Sequence, residues 1–270
     1  MSYRLGLPPY ANVAPLAHFL RPEGFTLFQA PPTALNRMLL EGELDLSLAS
    51  SLAYLEHQDQ WGLLPDFSVA VLGPVYSVNL FHRVPLEDLK RVALTGESAT
   101  SVALLRLLLE ERGVKPCYER AEGELELLQD YEGVLLIGDR AVKVYARLLR
   151  GLPETPMDLP TRFGEVAVTD LAMAWFRRTR LPFVFAVWAY RRESPPPKAV
   201  VQALRRARLL GLGRLEEVAQ KEGRRLSVHP ALLLHYLWNF RYHLEEPDRL
   251  GLKAFAEALG LPFRPMYYPE

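Results

Sequence analysis

The stretch of this chain that most restricts its fold is the apolar run at residues 181–189, which is uncharged and rich in Phe, Val and Trp. It is far shorter than the roughly 20 apolar residues that a membrane-spanning helix needs. Arg180 precedes it, and Arg191 and Arg192 follow it closely. Its β-branched and aromatic side chains favour a strand buried on both faces, in the middle of a mainly parallel sheet, although a short buried helix would have a similar composition.

A second run of the same character, SVNLF at residues 77–81, precedes it in the chain, and the segment between them has its own alternation of strand and helix patterns. We interpret the two runs as the outward and return crossings between two lobes, with a ligand cleft beside the crossings. The predicted boundaries assign residues 1–83 and 187–270 to a first lobe, which carries both termini and the C-terminal helices. Residues 84–186 form the second lobe.

Alternating strand and helix patterns occur in both predicted lobes. In the first, strands at residues 3–7, 25–30 and 44–48 are separated by helical segments, which is typical of an α/β fold with a mainly parallel sheet flanked by helices. Beyond residue 192 the apolar residues recur at spacings of three and four, which predicts helices and no further strand. We expect these helices to pack on the first lobe, at residues 198–210, 214–222, 230–244 and 249–259.

Composition narrows the class of partner. Lys plus Arg and Asp plus Glu number 32 each, so the chain has no net positive field that would attract nucleic acid. The single cysteine, Cys117, excludes an internal disulfide, and neither cysteine nor histidine spacing matches a metal site. We therefore expect a small-molecule substrate and no metal, while the sequence leaves the oligomeric state open.

Targeting and nucleotide-binding signals are missing from the sequence. Pro8, Pro9 and Pro15 interrupt the region where an export signal needs unbroken apolar residues, so we expect a cytoplasmic protein without membrane insertion. The sequence has no GxSxG, phosphate-loop or GxGxxG pattern, which argues against hydrolase, nucleotide-transfer and dinucleotide-dependent activities.

Three polar loops follow predicted strands and form the candidate ligand site. They lie at residues 10–12, at Ser50 with Ser51, and at residues 95–101. In an open parallel sheet, ligands bind at the carboxyl ends of the strands, and helix N-termini there supply unpaired amide donors. The arrangement suits an anion such as a carboxylate.

Hydroxyl groups are concentrated in the third loop, TGESATS. Ser98, Thr100 and Ser101 could hold a carboxylate together with backbone amides where the next helix begins. An ordinary helix capped by hydroxyl groups would have the same composition, because Ser and Thr are favoured capping residues.

Three other polar residues have both a functional and a structural interpretation. Asn12 is placed to cap a helix over residues 13–20, and Ser77, inside a strand-like run, could be a core serine. Asp139, after LLIG, is either a helix cap or a cleft residue; capping is the commoner role, and we keep it as a candidate substrate contact. From the residues alone, the chain is a two-lobed binder of a small anion.

Seven motifs occur in an order that resembles one enzyme family. They are YANVAPL, LNRMLLEGELD, SSLAYL, GPVYSVNLF, LTGESATS, LLIGDRA and DLAMAWFRRTRLPFVFAVWAYR. The late segments YLWNFRYHL and GLKAFAEALG extend the match over most of the chain. The pattern is similar to that of the chorismate dehydratases of the futalosine route to menaquinone, although Pro8 and Pro9 depart from it just before Tyr10.

That resemblance implies a type-II periplasmic-binding-protein fold in a cytosolic enzyme that needs no cofactor. It implies that chorismate loses water to give 3-[(1-carboxyvinyl)oxy]benzoate. By the family pattern, Ser77 and Asn12 are the expected catalytic residues. The expected substrate contacts are Ser50, Ser51, Thr100 and Ser101, to which the reasoning from residues adds Ser98 and Asp139.

Two alternatives are compatible with the same loops. A non-catalytic cytosolic protein that binds or senses a small carboxylate would need only the groups that hold the anion. The sister enzyme of the pathway, 1,4-dihydroxy-6-naphthoate synthase, shares the architecture. It would be expected to differ at Asn12 and at Gly138, where this chain has IGD without a histidine.

Overall fold

Two β-sheets flanked by helices make up the computed structural model of the chain, which describes residues 2–95, 98–149, 151 and 160–269. The strands are, in chain order, β1 (Tyr3–Leu7), β2 (Phe25–Gln29), β3 (Leu46–Ser50), β4 (Trp61–Val71), β5 (Val78–His82), β6 (Arg91–Thr95), β7 (Cys117–Arg120), β8 (Gly133–Ile137), β9 (Arg162–Phe163), β10 (Val166–Asp170), β11 (Phe183–Arg191) and β12 (Phe240–Arg241). The α-helices are α1 (Ala14–Ala17), α2 (Pro32–Leu40), α3 (Ser51–Glu56), α4 (Ala99–Glu110), α5 (Gly138–Leu148), α6 (Leu171–Thr179), α7 (Lys198–Gly213), α8 (Leu215–Leu226), α9 (Pro230–Trp238) and α10 (Glu246–Ala258).

The first sheet has the strand order β12-β4-β11-β3-β1-β2. β1 runs parallel to both β2 and β3, as the predicted alternation of strand and helix requires. β11 lies between β3 and β4 and runs antiparallel to both, and β12 pairs antiparallel with β4. The polar loops after β1 and β3 therefore lie at the same edge of this sheet.

The second sheet repeats this plan with the order β7-β6-β8-β5-β10-β9. β6 runs parallel to β7 and β8, while β5 pairs antiparallel with β8 and β10. The loops after β6 and β8 share one edge, as the loops after β1 and β3 do. The two sheets with their flanking helices confirm the predicted α/β class.

The apolar run that restricts the fold is a strand, β11, and it lies in the interior of the first sheet as predicted. Val187, Trp188 and Ala189 are completely buried. The sheets are less parallel than expected, since within the described residues each has two parallel and three antiparallel strand pairs. The chain leaves the first sheet after β4 and returns to it at β11, and β11 runs antiparallel to both of its neighbours.

The run at residues 77–81 is not itself a crossing. β5 belongs entirely to the second sheet, although the sequence placed residues up to 83 with the first lobe. The chain passes from one sheet to the other between Val71, the last residue of β4, and Val78, the first residue of β5. The assignment of residues 1–83, 84–186 and 187–270 to lobes stays a prediction, and strand pairing moves the first sheet change ahead of residue 78.

The C-terminal helices pack on elements of the first sheet, as expected. α7 and α8 contact α1, and α10 contacts β11 and α3. The expectation that no strand returns after residue 192 is wrong, because β12 adds to the edge of the first sheet beside β4. A strand of two residues is too short to produce an alternating pattern that the sequence could reveal.

Candidate active site

A crevice lies where the loops after β1, β3, β6 and β8 meet. Five of the eight predicted site residues line it, and they come from both sheets and from the connection between them. These residues are Asn12, Ser50, Ser77, Ser98 and Ser101. The prediction that the carboxyl ends of the strands would bring these groups together agrees with their placement, and their roles stay predictions.

Apolar side chains form much of the remaining wall of the crevice. They include Leu48, Val69, Val78, Ile137 and Phe185. An apolar wall with a few polar groups is typical of a site that binds a small organic molecule and fixes its orientation. The site can therefore receive a flat ring on its wall and carboxylate or hydroxyl groups at its polar residues.

Ser50 is fixed by a residue that the sequence did not indicate. The Asn36 Nδ2 group donates to Ser50 Oγ at 3.0 Å, and the Ser50 N–H donates to Asn36 Oδ1 at 3.2 Å. Ser50 Oγ also caps α3 by accepting from the Ala53 N–H at 3.4 Å. Asn36 belongs to the motif LNRMLLEGELD, but nothing in its helical spacing distinguishes it from a surface residue.

Asn12 does not cap a helix as predicted. It lies inside a short 3-10 helix, Ala11–Val13, and Val13 is the N-cap of α1. Its backbone carbonyl accepts a hydrogen bond from the Tyr242 hydroxyl at 2.8 Å, while its Oδ1 is buried without a hydrogen-bond partner among the described residues. Because a buried amide oxygen without a partner is costly, Asn12 is suited to contact a ligand in the crevice.

Ser77 lies on the connection between the sheets, one residue before β5, and is 2% exposed. Its carbonyl accepts a hydrogen bond from the Gly138 N–H at 2.8 Å. Tyr236, which sequence reasoning missed although it begins the motif YLWNFRYHL, is a buried neighbour. Burial raises the pKa of the Tyr236 hydroxyl, and the Ser77 side chain opposes that rise. The Tyr236 hydroxyl therefore stays protonated at neutral pH.

Ser98 and Ser101 form the beginning of α4. Ser98 is the N-cap and accepts from the Ser101 N–H at 3.3 Å, and the two hydroxyl groups are 2.8 Å apart. Gly96 and Glu97 of the same predicted loop lie outside the described residues. Ser98 therefore has the ordinary capping role and also lines the crevice, and its role as a substrate contact stays a prediction.

Three predicted site residues are bound by the protein and are not among the described residues that line the crevice. Ser51 Oγ donates to the Val184 carbonyl at 2.6 Å, and Thr100 Oγ1 accepts from the Leu52 N–H at 3.0 Å. Since Thr100 lies in the first turn of α4 and Leu52 lies in α3, the second of these bonds joins helices that follow strands of different sheets. Their predicted role as substrate contacts stays a prediction.

Asp139 is the third of these residues. It lies in the first turn of α5, yet its side chain does not cap that helix. One carboxylate oxygen accepts from the Ala11 N–H at 2.9 Å, and the other accepts from Arg225 Nη2 at 2.6 Å. The sequence offered a cap or a cleft residue, and the structure shows a third arrangement, a bridge from α5 to the loop that carries Asn12.

The electrostatics of the crevice come from helix ends and neutral polar groups. α4 and α5 both begin at its wall, and their N-termini carry partial positive charge that favours an anion. Gly138 has a φ of +60°, which glycine adopts readily, so β8 turns into α5 directly at the crevice. Among the described residues of the wall, Tyr10 has the one aromatic hydroxyl and none has a charged side chain.

Metal-ligating residues do not converge in the described part of the chain, where no three His, Cys, Asp or Glu side chains could hold a metal ion together. Nor is any helix there both long enough and apolar enough to cross a membrane.

Known proteins resemble the chain over nearly all of its length. A sequence model of the Menaquinone biosynthesis family matches residues 3–260. The chorismate dehydratase of Thermus thermophilus is 74% identical over 268 residues, which are 99% of this chain and 99% of that protein. The 1,4-dihydroxy-6-naphtoate synthase of the same organism is 31% identical over 234 residues, which are 83% of this chain and 79% of that protein.

The periplasmic aliphatic sulphonate binding protein of Escherichia coli has a similar structure. Its TM-score is 0.60 at 16% sequence identity, over 100% of this chain and 94% of that one. At this identity the likeness shows the fold alone, which is the periplasmic-binding-protein fold that the motifs implied. The full-length match and the 74% identical relative show that the chain belongs to the menaquinone biosynthesis family.

Proposed function

We propose that this chain is a chorismate dehydratase, a carbon-oxygen lyase that converts chorismate to 3-[(1-carboxyvinyl)oxy]benzoate and water in menaquinone biosynthesis. The observation that carries the proposal is the 74% identity to the Thermus thermophilus chorismate dehydratase over 99% of the chain. The crevice supports it, because its polar residues belong to the motifs that suggested this family.

The crevice is chemically suited to chorismate. The substrate has a six-membered ring with one carboxylate on the ring and a second on the enolpyruvyl group. The apolar wall can receive the ring, while the N-terminal ends of α4 and α5 and the hydroxyl groups of Ser98 and Ser101 favour a carboxylate. We place the ring carboxylate at these groups and assign Ser50 to the same set of polar contacts.

The reaction needs a base and an acceptor of developing charge. Loss of the ring hydroxyl and the neighbouring ring hydrogen makes the ring aromatic, which supplies the thermodynamic drive. That hydrogen is vinylogous to the ring carboxylate, so a carbanion formed at its carbon delocalises onto the carboxylate. Donors that hydrogen-bond to the carboxylate in the crevice lower the barrier to this step.

The base that fits this crevice is the enolpyruvyl carboxylate of the substrate. Ser77 and Asn12 are neutral, and a neutral serine is a poor base without a partner. No described residue of the wall has a charged side chain that could act as the base in place of the substrate carboxylate. We assign Ser77 and Asn12 the roles of orienting this carboxylate and assisting the departing hydroxyl group.

Incubation of the purified chain with chorismate, followed by mass spectrometry, tests the activity. We expect a product lighter by one water. Ser77→Ala and Asn12→Ala should each lower kcat by about 100-fold, the smaller end of the range for a positioned proton-transfer or charge-stabilising group. Thr26→Val, on the exposed edge of β2, is the control and should leave turnover unchanged.

Other outcomes of the same experiment would point elsewhere. Tight binding of unchanged chorismate would identify a non-catalytic carboxylate binder. A loss of turnover in Glu97→Gln as large as in Ser77→Ala would give the role of base to that glutamate and contradict the substrate-assisted mechanism.

We also propose that the reaction takes place in the cytoplasm. The 74% identity to an enzyme that acts in a biosynthetic pathway supports this location. Fractionation of cells that express the untagged full-length chain tests it, and recovery of the chain with exported proteins would contradict it.

A further inference from the structure

The residue before Ser77 has an unusual backbone conformation. Tyr76 has a φ of +61°, in the left-handed region that bulky side chains rarely adopt. Its side chain is 1% exposed, so the conformation is held by the interior of the protein and not by a surface turn. Such strained residues persist only where their surroundings impose them, and they are frequent at functional sites.

A buried carboxylate holds this turn. Asp170 Oδ2 accepts hydrogen bonds from the N–H groups of Val75 and Tyr76, both at 2.8 Å. Asp170 Oδ1 accepts from the Met173 N–H at 2.9 Å and thereby caps α6. With Asp170 4% exposed, one carboxylate joins the end of β10, the start of α6 and the turn that carries Ser77.

The carbonyl groups of the turn accept from amide groups, and the Tyr76 hydroxyl lies 3.0 Å from His235 Nε2. Asn79 Nδ2 donates to the Tyr76 carbonyl at 2.7 Å, and the Gly138 N–H donates to the Ser77 carbonyl at 2.8 Å. Asn79 lies directly opposite Asp170 in the β5–β10 pairing. The two successive N–H groups of Val75 and Tyr76 therefore converge on Asp170, which is the charged group in this arrangement.

We propose that Asp170 is a positioning residue, which acts through the backbone of Val75 and Tyr76 to set the place of Ser77 in the crevice. This inference rests on the proposed function, in which Ser77 acts on chorismate. Asp170 itself is not among the residues that line the crevice. It need not touch the substrate, because a misplacement of a reacting group by about 1 Å can lower a rate by about 100-fold.

The carboxylate is needed because both of its oxygens accept hydrogen bonds. Asparagine has the same shape but a single oxygen, and its NH2 group would face N–H donors either at the turn or at the start of α6. Asp170→Asn therefore gives up one of the two sets of bonds. We expect kcat to fall by at least tenfold, with KM for chorismate changing less than threefold.

Thr169→Val is the matched control. Thr169 precedes Asp170 in β10, and its hydroxyl is 3.0 Å from His82 Nε2, away from the turn. This variant loses a side-chain hydrogen bond from the same strand, and turnover should stay within twofold of the wild type. An equal loss of kcat in both variants would mean that β10 is generally sensitive, and would overturn the assignment.

A double variant separates positioning from general destabilisation. If Asp170 acts through Ser77, Asp170→Asn added to Ser77→Ala should lower kcat by less than twofold below Ser77→Ala alone. Losses that multiply would overturn the inference. An Asp170→Asn enzyme with the kcat of the wild type would also overturn the inference, but it would leave the proposed function intact. The proposed function fails only if the wild-type chain does not convert chorismate.

A second variant serves if Asp170→Asn alone does not fold. Asp170→Glu keeps the charge and both acceptor oxygens, but its additional methylene group shifts the turn that it holds. We expect kcat to fall by at least tenfold, with KM for chorismate changing less than threefold. An Asp170→Glu enzyme with the kcat of the wild type would contradict the proposed positioning role.

Discussion

The Asp139 carboxylate accepts a hydrogen bond from the backbone N–H of Ala11 at 2.9 Å, although the two residues are 128 positions apart in the chain. Ala11 follows a strand of the first sheet, and Asp139 follows a strand of the second. Asn12 is the next residue after Ala11. A change in the distance between the two sides of the crevice would therefore also change the position of Asn12. The bond between Thr100 and Leu52 spans the two sheets in the same way.

We expect Asp139→Asn to weaken chorismate binding more than the chemical step. The variant loses the ion pair with Arg225 and keeps a single oxygen for either partner, so the arrangement with both sheets in contact becomes less favourable. A rise in KM of about tenfold corresponds to the roughly 1.4 kcal/mol expected for one such bond. Steady-state kinetics on chorismate measure it.

Arg147→Gln is the control for Asp139→Asn. Arg147 lies in the same helix and pairs with Glu124, and both residues lie between strands of the second sheet. An exposed ion pair contributes little, so both KM and kcat should remain within twofold. An unchanged KM in Asp139→Asn would show that the bridge does not control the crevice.

Asn36→Ala should damage both stability and turnover. The Ser50 N–H and hydroxyl would each lose a partner in a buried setting, which costs about 1–3 kcal/mol in the free energy of unfolding. Ser50 would keep only the bond from the Ala53 N–H, so its orientation at the crevice would be less fixed and kcat/KM should fall by about tenfold at a temperature where the variant is folded. Urea unfolding and steady-state kinetics measure the two effects.

Arg37→Ala provides the comparison within the same helix. Arg37 is exposed and pairs with Glu41 on the surface at 3.9 Å. Its loss should change the free energy of unfolding by less than about 0.5 kcal/mol. Equal effects of the two substitutions would remove the special role given to Asn36.

Turnover should decline as the pH falls through about 6. Burial raises the pKa of the Asp170 carboxyl from 3.8 to about 6, while hydrogen bonds from the Met173, Tyr76 and Val75 N–H groups act in the opposite direction. Below that pH the protonated oxygen donates and can no longer accept from the turn, so the active arrangement is present above the pKa and lost below it. The decline is measured as kcat for chorismate between pH 5 and 8, in buffers of constant ionic strength.

Asp170→Asn should show no such inflection, and an inflection that survives in this variant would assign it to another group. Tyr145 faces Asp170 from α5. The other described ionisable residues that share a cavity wall with Asp170 are His82, Glu111, Arg112, Arg162, Arg177 and Arg178.

The same carboxyl has the opposite effect on stability. Its pKa is higher in the folded than in the unfolded chain, so the folded state binds more protons between pH 3.8 and about 6. Its contribution to the free energy of unfolding is therefore largest below pH 3.8 and falls as the pH rises through about 6. The wild type should lose stability relative to Asp170→Asn over this range, as measured by urea unfolding at several pH values.

Gly211→Ala should separate two helices that approach closely. A Cβ at Gly211 in α7 would lie 1.8 Å from the Pro15 carbonyl oxygen in α1, so backbone must move. We expect a loss of about 1–3 kcal/mol in the free energy of unfolding. Because α1 directly follows the 3-10 helix of Asn12, turnover should fall as well.

Gly213→Ala, two residues further along α7, is the counterpart. No atom lies within 4 Å of a Cβ at Gly213, and alanine favours a helix over glycine by up to about 1 kcal/mol. This variant should be as stable as the wild type or slightly more stable. Destabilisation of both variants to the same extent would show that helix ends, and not the approach to Pro15, determine the cost.

The sequence predicted those features that depend on local pattern. The strands and most helices follow from apolar periodicity. The sequence also predicted a common site for four polar residues that each follow a predicted strand, namely Asn12, Ser50, Ser98 and Ser101. Strand direction is a long-range property, so the antiparallel pairing of β11 left no local signal.

The missed contacts have the same cause. The Asp170 carboxylate and the Val75 N–H are 95 positions apart, so a local pattern can indicate no more than the capping of α6, for which Thr169 and Asp170 are equal candidates by sequence. Asp139 likewise looked like a cap because its partners, Ala11 and Arg225, lie far away in the chain.

Ser77 lies on the segment that joins the sheets and belongs to neither of them. Its carbonyl nevertheless accepts from the Gly138 N–H, and Asp170 holds the turn before it, so its hydrogen bonds tie it to the second sheet. If one sheet rotates against the other, Ser77 and Ser101 travel together, while Asn12 approaches or leaves them from the opposite side. Opening the crevice would then pull apart the two residues assigned to the reaction, so that release of product and loss of the reactive arrangement are one and the same movement.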